Sequence, residues 1–115
     1  MTTKEEHESP DKLLRLIVTL DSDNDLTIGF DGFGWHTHGD LLASISGLPE
    51  TDAVRQFIDG ILNGEHVIAV SRVEGIVRDV WPTDDPLGEF TYKPAEETIE
   101  FRRWSGEVIP IVAPR

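Results

Sequence analysis

Residues 51–81 read TDAVRQFIDGILNGEHVIAVSRVEGIVRDVW and contain two hydrophobic periods, one typical of a helix and one typical of strands. Apolar residues at intervals of three and four predict an amphipathic helix over residues 51–62; they are Val54, Phe57, Ile58, Ile61 and Leu62. Two runs rich in β-branched residues follow, at 66–73 and 76–81. Only Glu74 and Gly75 separate these runs, and such a gap predicts a tight hairpin.

The residues before this helix predict a meander of strands and a short second helix. Residues 13–20 and 26–30 are strand-like, and the cluster DSDND at 21–25 between them is typical of a turn. A candidate third strand carries different side chains on its two faces: Phe33, Trp35 and Thr37 on one, His36 and His38 on the other. Asp40 is placed to cap a short helix through Leu41, Leu42 and Ile45.

Downstream of residue 81 the pattern predicts one more hairpin. Its strands are expected at residues 90–93 and 98–104, and residues 109–114 are expected to pack irregularly at a sheet edge. Together these elements predict an α+β fold: one main helix and a short second one on a largely antiparallel sheet of six or seven strands, built from hairpins. The acidic residues 1–11 carry no large apolar group after Met1, so we expect a disordered tail followed by a single domain over residues 12–115.

The composition excludes several classes of partner and of chemistry. The chain has 115 residues, of which 22 are acidic and 10 basic, giving a net charge of −12. Such a charge opposes binding to nucleic acids and to anionic membranes, so we expect neither as a partner. The absence of cysteine rules out disulfides, thiolate metal sites and cysteine nucleophiles. The polar N-terminus and the short apolar runs show neither a secretory signal nor a membrane span, which leads us to expect a cytoplasmic protein.

The segment His36-Thr37-His38-Gly39-Asp40 is the strongest candidate for a metal site. Imidazoles two residues apart on a strand point to the same side and can bind one divalent metal. The segment resembles the start of the His-x-His-x-Asp motif of metallo-β-lactamase-type hydrolases, but that motif continues with a histidine where this chain has Leu41. The metal hypothesis is therefore kept without the family, and the remaining ligands would come from His66 and either Asp31 or Asp79.

Other motifs predict no catalytic residue. Asp21, Asp23 and Asp25 are spaced like the first ligands of a calcium loop, but Leu26 and Gly32 stand where that loop requires glycine and glutamate. The chain contains no Gly-x-Ser-x-Gly nucleophile motif and no phosphate-binding glycine pattern. We therefore interpret residues 21–25 as a hairpin turn and assign no catalytic group.

The acidic residues are concentrated in two blocks, 21–40 and 84–100, and the first of them holds no Lys or Arg. If both turns lie at one end of the sheet, they form a negative surface that attracts a basic protein. The predicted contact residues are the acids of the turns and one exposed tryptophan: Asp23, Asp25, Asp31, Asp84, Asp85 and Trp35.

We therefore expect a non-enzymatic, acidic protein-binding domain, of the immunity or inhibitor type, that needs no cofactor. Two alternatives remain open. The first is a metal-binding protein or small metal-dependent enzyme that uses His36, His38, Asp40 and His66 to hold a divalent metal. The second is a structural subunit of a homodimer. The sequence does not decide between a monomer and a homodimer.

Overall fold

The computed structural model describes residues 2–111, which form two four-stranded antiparallel sheets and two α-helices. The strands of the first sheet, in chain order, are Thr2–Glu8 (β1), Arg15–Leu20 (β2), Leu26–Phe30 (β3) and His36–His38 (β4). The helices are Gly39–Ser46 (α1) and Glu50–Leu62 (α2). The strands of the second sheet are Val67–Val73 (β5), Ile76–Thr83 (β6), Glu97–Arg102 (β7) and Val108–Ile109 (β8).

The predicted α+β class and both helices are confirmed, but the strands form two sheets instead of one. The first sheet is a meander in the order β1-β2-β3-β4, and the second has the order β6-β5-β7-β8. The two helices connect the last strand of the first sheet to the first strand of the second. A pattern of alternating residues predicts strands, but it does not say which strands share a sheet.

Two predicted hairpins are confirmed together with their turn chemistry. In the turn between β2 and β3, the Asp21 carboxylate accepts hydrogen bonds from the backbone N–H groups of Asp23 and Asp25 at 2.9 and 3.0 Å. That carboxylate therefore stabilises the turn itself. Between β5 and β6, Glu74 and Gly75 both have positive φ, 53° and 79°, as a type I′ turn requires. Val73 pairs directly with Ile76 across that turn.

The expected disordered tail is wrong for residues 2–8, which form β1 and pair antiparallel with β2. The reason is backbone pairing, since β2 would otherwise present unpaired N–H and C=O groups along that edge. The connection after β1 is also fixed, because the buried Ser9 hydroxyl accepts a hydrogen bond from the Leu14 N–H at 3.0 Å. Amino-acid composition reflects only the polarity of side chains. It therefore reveals neither the backbone pairing of β1 with β2 nor the hydrogen bond of Ser9.

The predicted strand at residues 90–93 is also wrong, because a 3₁₀ helix occupies Leu87–Phe90. Its first turn is held by the Asp85 carboxylate, which accepts a hydrogen bond from the Gly88 N–H at 3.2 Å. In place of the predicted partner, β7 pairs with β5 on one side and with β8 on the other. The predicted edge segment 109–114 begins in β8, while residues 112–115, the end of the predicted domain 12–115, lie outside the described residues.

The core lies where α2 meets the inward faces of the two sheets. Val54, Ile58 and Ile61 form the buried stripe of α2. The sheets and their flanking segments contribute the other buried apolar residues of this cluster: Leu14, Leu16, Val18, Ile28, Phe30, Ile68, Val70, Val80 and Trp104. Burying a side chain of this size contributes about 1.5–3 kcal/mol, so this cluster is the main source of stability.

An ion pair between a buried arginine and a partly exposed aspartate connects the β1–β2 segment with the second sheet. Arg102, at the end of β7, is only 2% exposed. Its guanidinium donates to both carboxylate oxygens of Asp11, at 2.6 and 3.1 Å, and to the Trp104 carbonyl at 3.2 Å. The hydrogen bonds from Arg102 hold the pKa of the Asp11 carboxyl well below its usual range, although desolvation acts in the opposite direction. Asp11 is therefore a structural residue and not part of a free tail.

Candidate partner-binding surface

Four aromatic rings form a continuous row from the first sheet, across α2, to the residue just before β5. The ring centroids of Phe30 and Trp35 are 5.9 Å apart, those of Trp35 and Phe57 are 6.2 Å apart, and those of Phe57 and His66 are 5.4 Å apart. We call these four residues the aromatic row. These spacings are typical of favourable aromatic pairs. Two surface grooves, described below, border the aromatic row, and its rings form part of their walls.

The first groove lies between α1 and α2 and has a volume of about 330 Å³. We call it the helical groove; it is lined by Leu42, Ile45, Ser46, Ala53, Gln56, Phe57, Glu65 and His66. At the start of α1, a Cβ added to Gly39 would lie 2.8 Å from Oε1 of Glu50, the first residue of α2. Glycine at this position therefore leaves room for the Glu50 side chain between the two helices.

Helix α1 exposes large apolar side chains beside the helical groove. Leu41 is 50% exposed and Ile45, four residues later, is 76% exposed. Leu48, in the connection to α2, is exposed as well. We call Leu41, Ile45 and Leu48 the α1 patch. Ile45 also lines the helical groove, so the patch and the groove form one surface, and contiguous apolar surface of this kind marks interaction sites.

The chain segment that carries the α1 patch contains acids and no Lys or Arg. No Lys or Arg occurs between Arg15 and Arg55, and this stretch includes three strands of the first sheet and all of α1. The acidic residues in it are Asp21, Asp23, Asp25, Asp31, Asp40, Glu50 and Asp52. Within residues 2–111, the Lys and Arg ion pairs are all formed with acids outside this stretch. Glu65 adds an exposed carboxylate to the lining of the helical groove itself.

The second groove, of about 240 Å³, lies on the outer face of the first sheet and contains two of the predicted contact residues, Asp31 and Trp35. We call it the sheet groove; its other lining residues are Ile17, Thr19, Thr27, Gly29, Phe30, Gly32, Phe33 and His36. Trp35 is half-buried, so it acts as a groove wall and a packing residue together. Gly29 permits this arrangement, because a Cβ there would lie 2.9 Å from the Trp35 carbonyl oxygen.

The predicted acidic contacts do not gather at one end of one sheet. Asp23 and Asp25 belong to the β2–β3 turn of the first sheet, and the Asp25 carboxylate lies 3.2 Å from Nδ1 of His38. Asp84 and Asp85 follow β6 in the second sheet, where the Asp85 carboxylate binds the 3₁₀ helix. The first acidic block therefore lies in and beside the turns of the first sheet, and the second block belongs to the second sheet.

The two strand histidines do lie together, as their spacing predicted. The ring centroids of His36 and His38 are 5.1 Å apart. Nδ1 of His36 is 3.0 Å from the Gly34 carbonyl oxygen. Nδ1 of His38 lies near the Asp25 carboxylate and 3.3 Å from the Thr27 hydroxyl. The structure therefore groups His38 with Asp25, a pairing that the sequence pattern did not indicate.

The other predicted metal ligands have different contacts. Asp40 lies in the first turn of α1, where its carboxylate accepts the Leu41 N–H at 2.8 Å; the N-cap is His38 instead of Asp40. His66 packs against Phe57, and the Asp79 carboxylate accepts the Val80 N–H at 2.9 Å. In the part of the chain that the structure describes, no group of three or more His, Asp or Glu side chains is arranged to hold a metal ion.

The sequence reasoning missed the α1 patch. Leu41, Leu42 and Ile45 lie within one apolar stripe of the short helix, because residues three and four apart are neighbours on a helix surface. The structure buries Leu42 in part and leaves Leu41 and Ile45 exposed. Which part of the stripe is covered depends on how α1 lies against α2, and the spacing of residues does not report that placement.

Comparison with models of known protein families, with curated proteins and with solved structures finds no match. Among the described residues, no helix combines the length and the apolar character that a bilayer span requires.

Proposed function

We propose that this chain is a non-enzymatic, acidic protein-binding domain that docks a basic protein through the α1 patch and the helical groove. The observation that carries the proposal is the exposure of Ile45, an apolar side chain on the rim of a groove that also contains the carboxylate of Glu65. Apolar anchors surrounded by charged groups of one sign are typical of interfaces with a partner of opposite charge.

The charge distribution favours a basic partner over a second copy of the chain. Each copy carries a net charge of −12, and the stretch between Arg15 and Arg55 contributes only acids. Two such surfaces facing each other would juxtapose like charges, which costs several kcal/mol at an interface. A basic partner instead gains from the same potential, both in affinity and in association rate.

The geometry supports a specific mode of docking. An apolar side chain of the partner would enter the helical groove against Phe57, and a neighbouring Lys or Arg would meet Glu65. The α1 patch would then exclude water around this contact. The acids of the first sheet, such as Asp23 and Asp31, would act at longer range by steering the partner. Inhibitors and immunity proteins can act in this way, as compact acidic domains that cover a basic surface of their partner. We favour this type of partner binding.

A matched pair of isoleucine variants tests the proposal. Ile45 and Ile76 are exposed by 76% and 58%, but Ile76 lies on β6 of the second sheet, away from the helical groove. The wild type, Ile45→Glu and Ile76→Glu would be immobilised, exposed to lysate of the cells that express the protein, and eluted with a salt gradient. We expect a basic protein to be retained by the wild type and by Ile76→Glu, and to lose at least about thirtyfold in affinity for Ile45→Glu.

The outcomes against the proposal are equally defined. If the same proteins bind all three forms, the α1 patch is not the interface. If no basic protein is retained and sedimentation shows a dimer that Ile45→Glu dissociates, the patch joins two copies of this chain. With the purified partner, Glu65→Lys should slow association more than Asp84→Lys does, and equal rates would remove Glu65 from the contact.

A further inference from the structure

Each of the two histidines on β4 has Nδ1 beside an oxygen atom that can accept a hydrogen bond from it. Nδ1 of His36 is 3.0 Å from the carbonyl oxygen of Gly34, which can only accept a hydrogen bond. Nδ1 of His38 lies 3.2 Å from a carboxylate oxygen of Asp25 and 3.3 Å from the Thr27 hydroxyl, which can accept as well as donate. In the neutral ring, a proton on Nδ1 is required by the Gly34 carbonyl for His36 and favoured by the neighbouring Asp25 carboxylate for His38, and Nε2 of each ring then keeps a free lone pair.

This arrangement is typical of histidines that bind metals. A metal-ligating imidazole nearly always donates its second N–H to a carboxylate or a backbone carbonyl, which sets the tautomer and the orientation of the ring. His38 has the carboxylate of Asp25 in this role, and His36 has the carbonyl of Gly34. Within residues 2–111, the hydrogen bonds of both rings are formed by Nδ1 and none by Nε2.

The backbone brings the two rings together and leaves space beside them. His36 and His38 are two residues apart on one strand, so their side chains lie on the same side, with centroids 5.1 Å apart. Their register partners on β3 are Gly29 and Thr27, both small. His36 also lines the sheet groove, whose volume of about 240 Å³ accommodates a hydrated ion next to the ring.

We infer that His36 and His38 form a two-histidine site for a divalent transition metal of the class that imidazole prefers, such as Zn²⁺ or Ni²⁺. Asp25 and Gly34 orient the two rings, and water or another ligand in the sheet groove completes the coordination shell. The absence of Lys and Arg between Arg15 and Arg55 favours a dication here. This site does not depend on the docking function proposed above.

Zinc titration of the full-length chain tests the site directly. Calorimetry should detect one Zn²⁺ per chain, and imidazole ¹⁵N spectra should show changes at His36 and His38 but not at His7 or His66. His36→Asn and His38→Asn should each weaken binding at least tenfold, whereas His66→Asn should leave it unchanged. Asp25→Asn keeps both metal ligands, so it should weaken binding by about 10–100-fold through the orientation of His38 alone.

Two results would overturn the inference. Imidazole spectra of the unaltered, metal-free protein report the tautomer without any substitution, and protonation of Nε2 in either ring would contradict the argument from Gly34 and Asp25. Zinc affinity that is the same in the wild type and in folded His36→Asn would show that zinc binds elsewhere. Mg²⁺, which prefers oxygen ligands, is the control ion and should produce no change at either ring.

Discussion

Replacing Asp11 by Asn removes the counter-ion of a buried guanidinium while keeping the size of the side chain. Arg102 is 2% exposed and donates two hydrogen bonds to the Asp11 carboxylate. Removing one partner of a fully buried ion pair costs about 3–5 kcal/mol. The Asp11 side chain is 39% exposed, so water can reach that side of the pair and compensate part of the loss. We therefore expect Asp11→Asn to lower the free energy of unfolding by about 2–3 kcal/mol.

Urea unfolding followed by circular dichroism measures this loss. The matched control is Glu107→Gln, which removes the carboxylate of the more exposed Arg103–Glu107 pair. A surface pair of this kind contributes at most about 1 kcal/mol, so the control should have a nearly unchanged unfolding midpoint. A loss below about 0.5 kcal/mol for Asp11→Asn, or equal losses for both variants, would refute the structural role of Asp11.

Three further predictions follow from the pKa of Asp11, the backbone at Glu74 and the packing at Gly29. The folded-state pKa of Asp11 lies below its ordinary value of 3.8, so the stability that Asp11 contributes should be complete at neutral pH and lost as the pH falls below about 4. On acidification, Asp11→Asn should therefore lose less unfolding free energy than the wild type, and equal losses in the two proteins would contradict this. Glu74 has a φ of 53°, which asparagine adopts more readily, so thermal unfolding should show Glu74→Asn to be more stable by about 0.5 kcal/mol, and any loss of stability would count against the type I′ turn. Gly29→Ala should cost about 1–3 kcal/mol in urea unfolding, because its Cβ would meet the Trp35 carbonyl at 2.9 Å; Gly34→Ala, with open space around its Cβ, should be nearly neutral, and similar losses for the two would refute the close approach.

The elements that could be predicted from the sequence are those that local chemistry determines. The helix over residues 50–62 follows from its apolar period, and the hairpin at Glu74-Gly75 follows from the two-residue gap between its strands. β1 and the 3₁₀ helix at 87–90 depend instead on partners elsewhere in the chain. β1 forms because β2 offers an edge, and no pattern within residues 2–8 reports that edge.

The candidate surface could be predicted only in part for the same reason. Trp35 was identified from its neighbours in the sequence, and it does line a groove with Asp31. Phe57 belongs to the predicted apolar stripe of α2, but it forms a groove wall only because α1 and His66 lie against it. The contact between Asp25 and His38 depends on the register of β3 and β4, which composition and spacing do not determine.

The placement of the arginines is an argument for the proposed docking surface and against acidic charge that serves only solubility. Acidic side chains increase solubility at any exposed position. Solubility alone therefore does not require that they lack arginine partners or that they lie near exposed apolar groups. The described ion pairs use acids outside the stretch between Arg15 and Arg55, such as Asp11, Asp59 and Glu100. The acids within that stretch therefore keep their charge uncompensated by Lys or Arg, and the same stretch contains the exposed Ile45. Exposed apolar surface and negative charge without a Lys or Arg partner thus occur in one segment of the chain, an arrangement that the proposed docking to a basic partner uses and that solubility alone does not need.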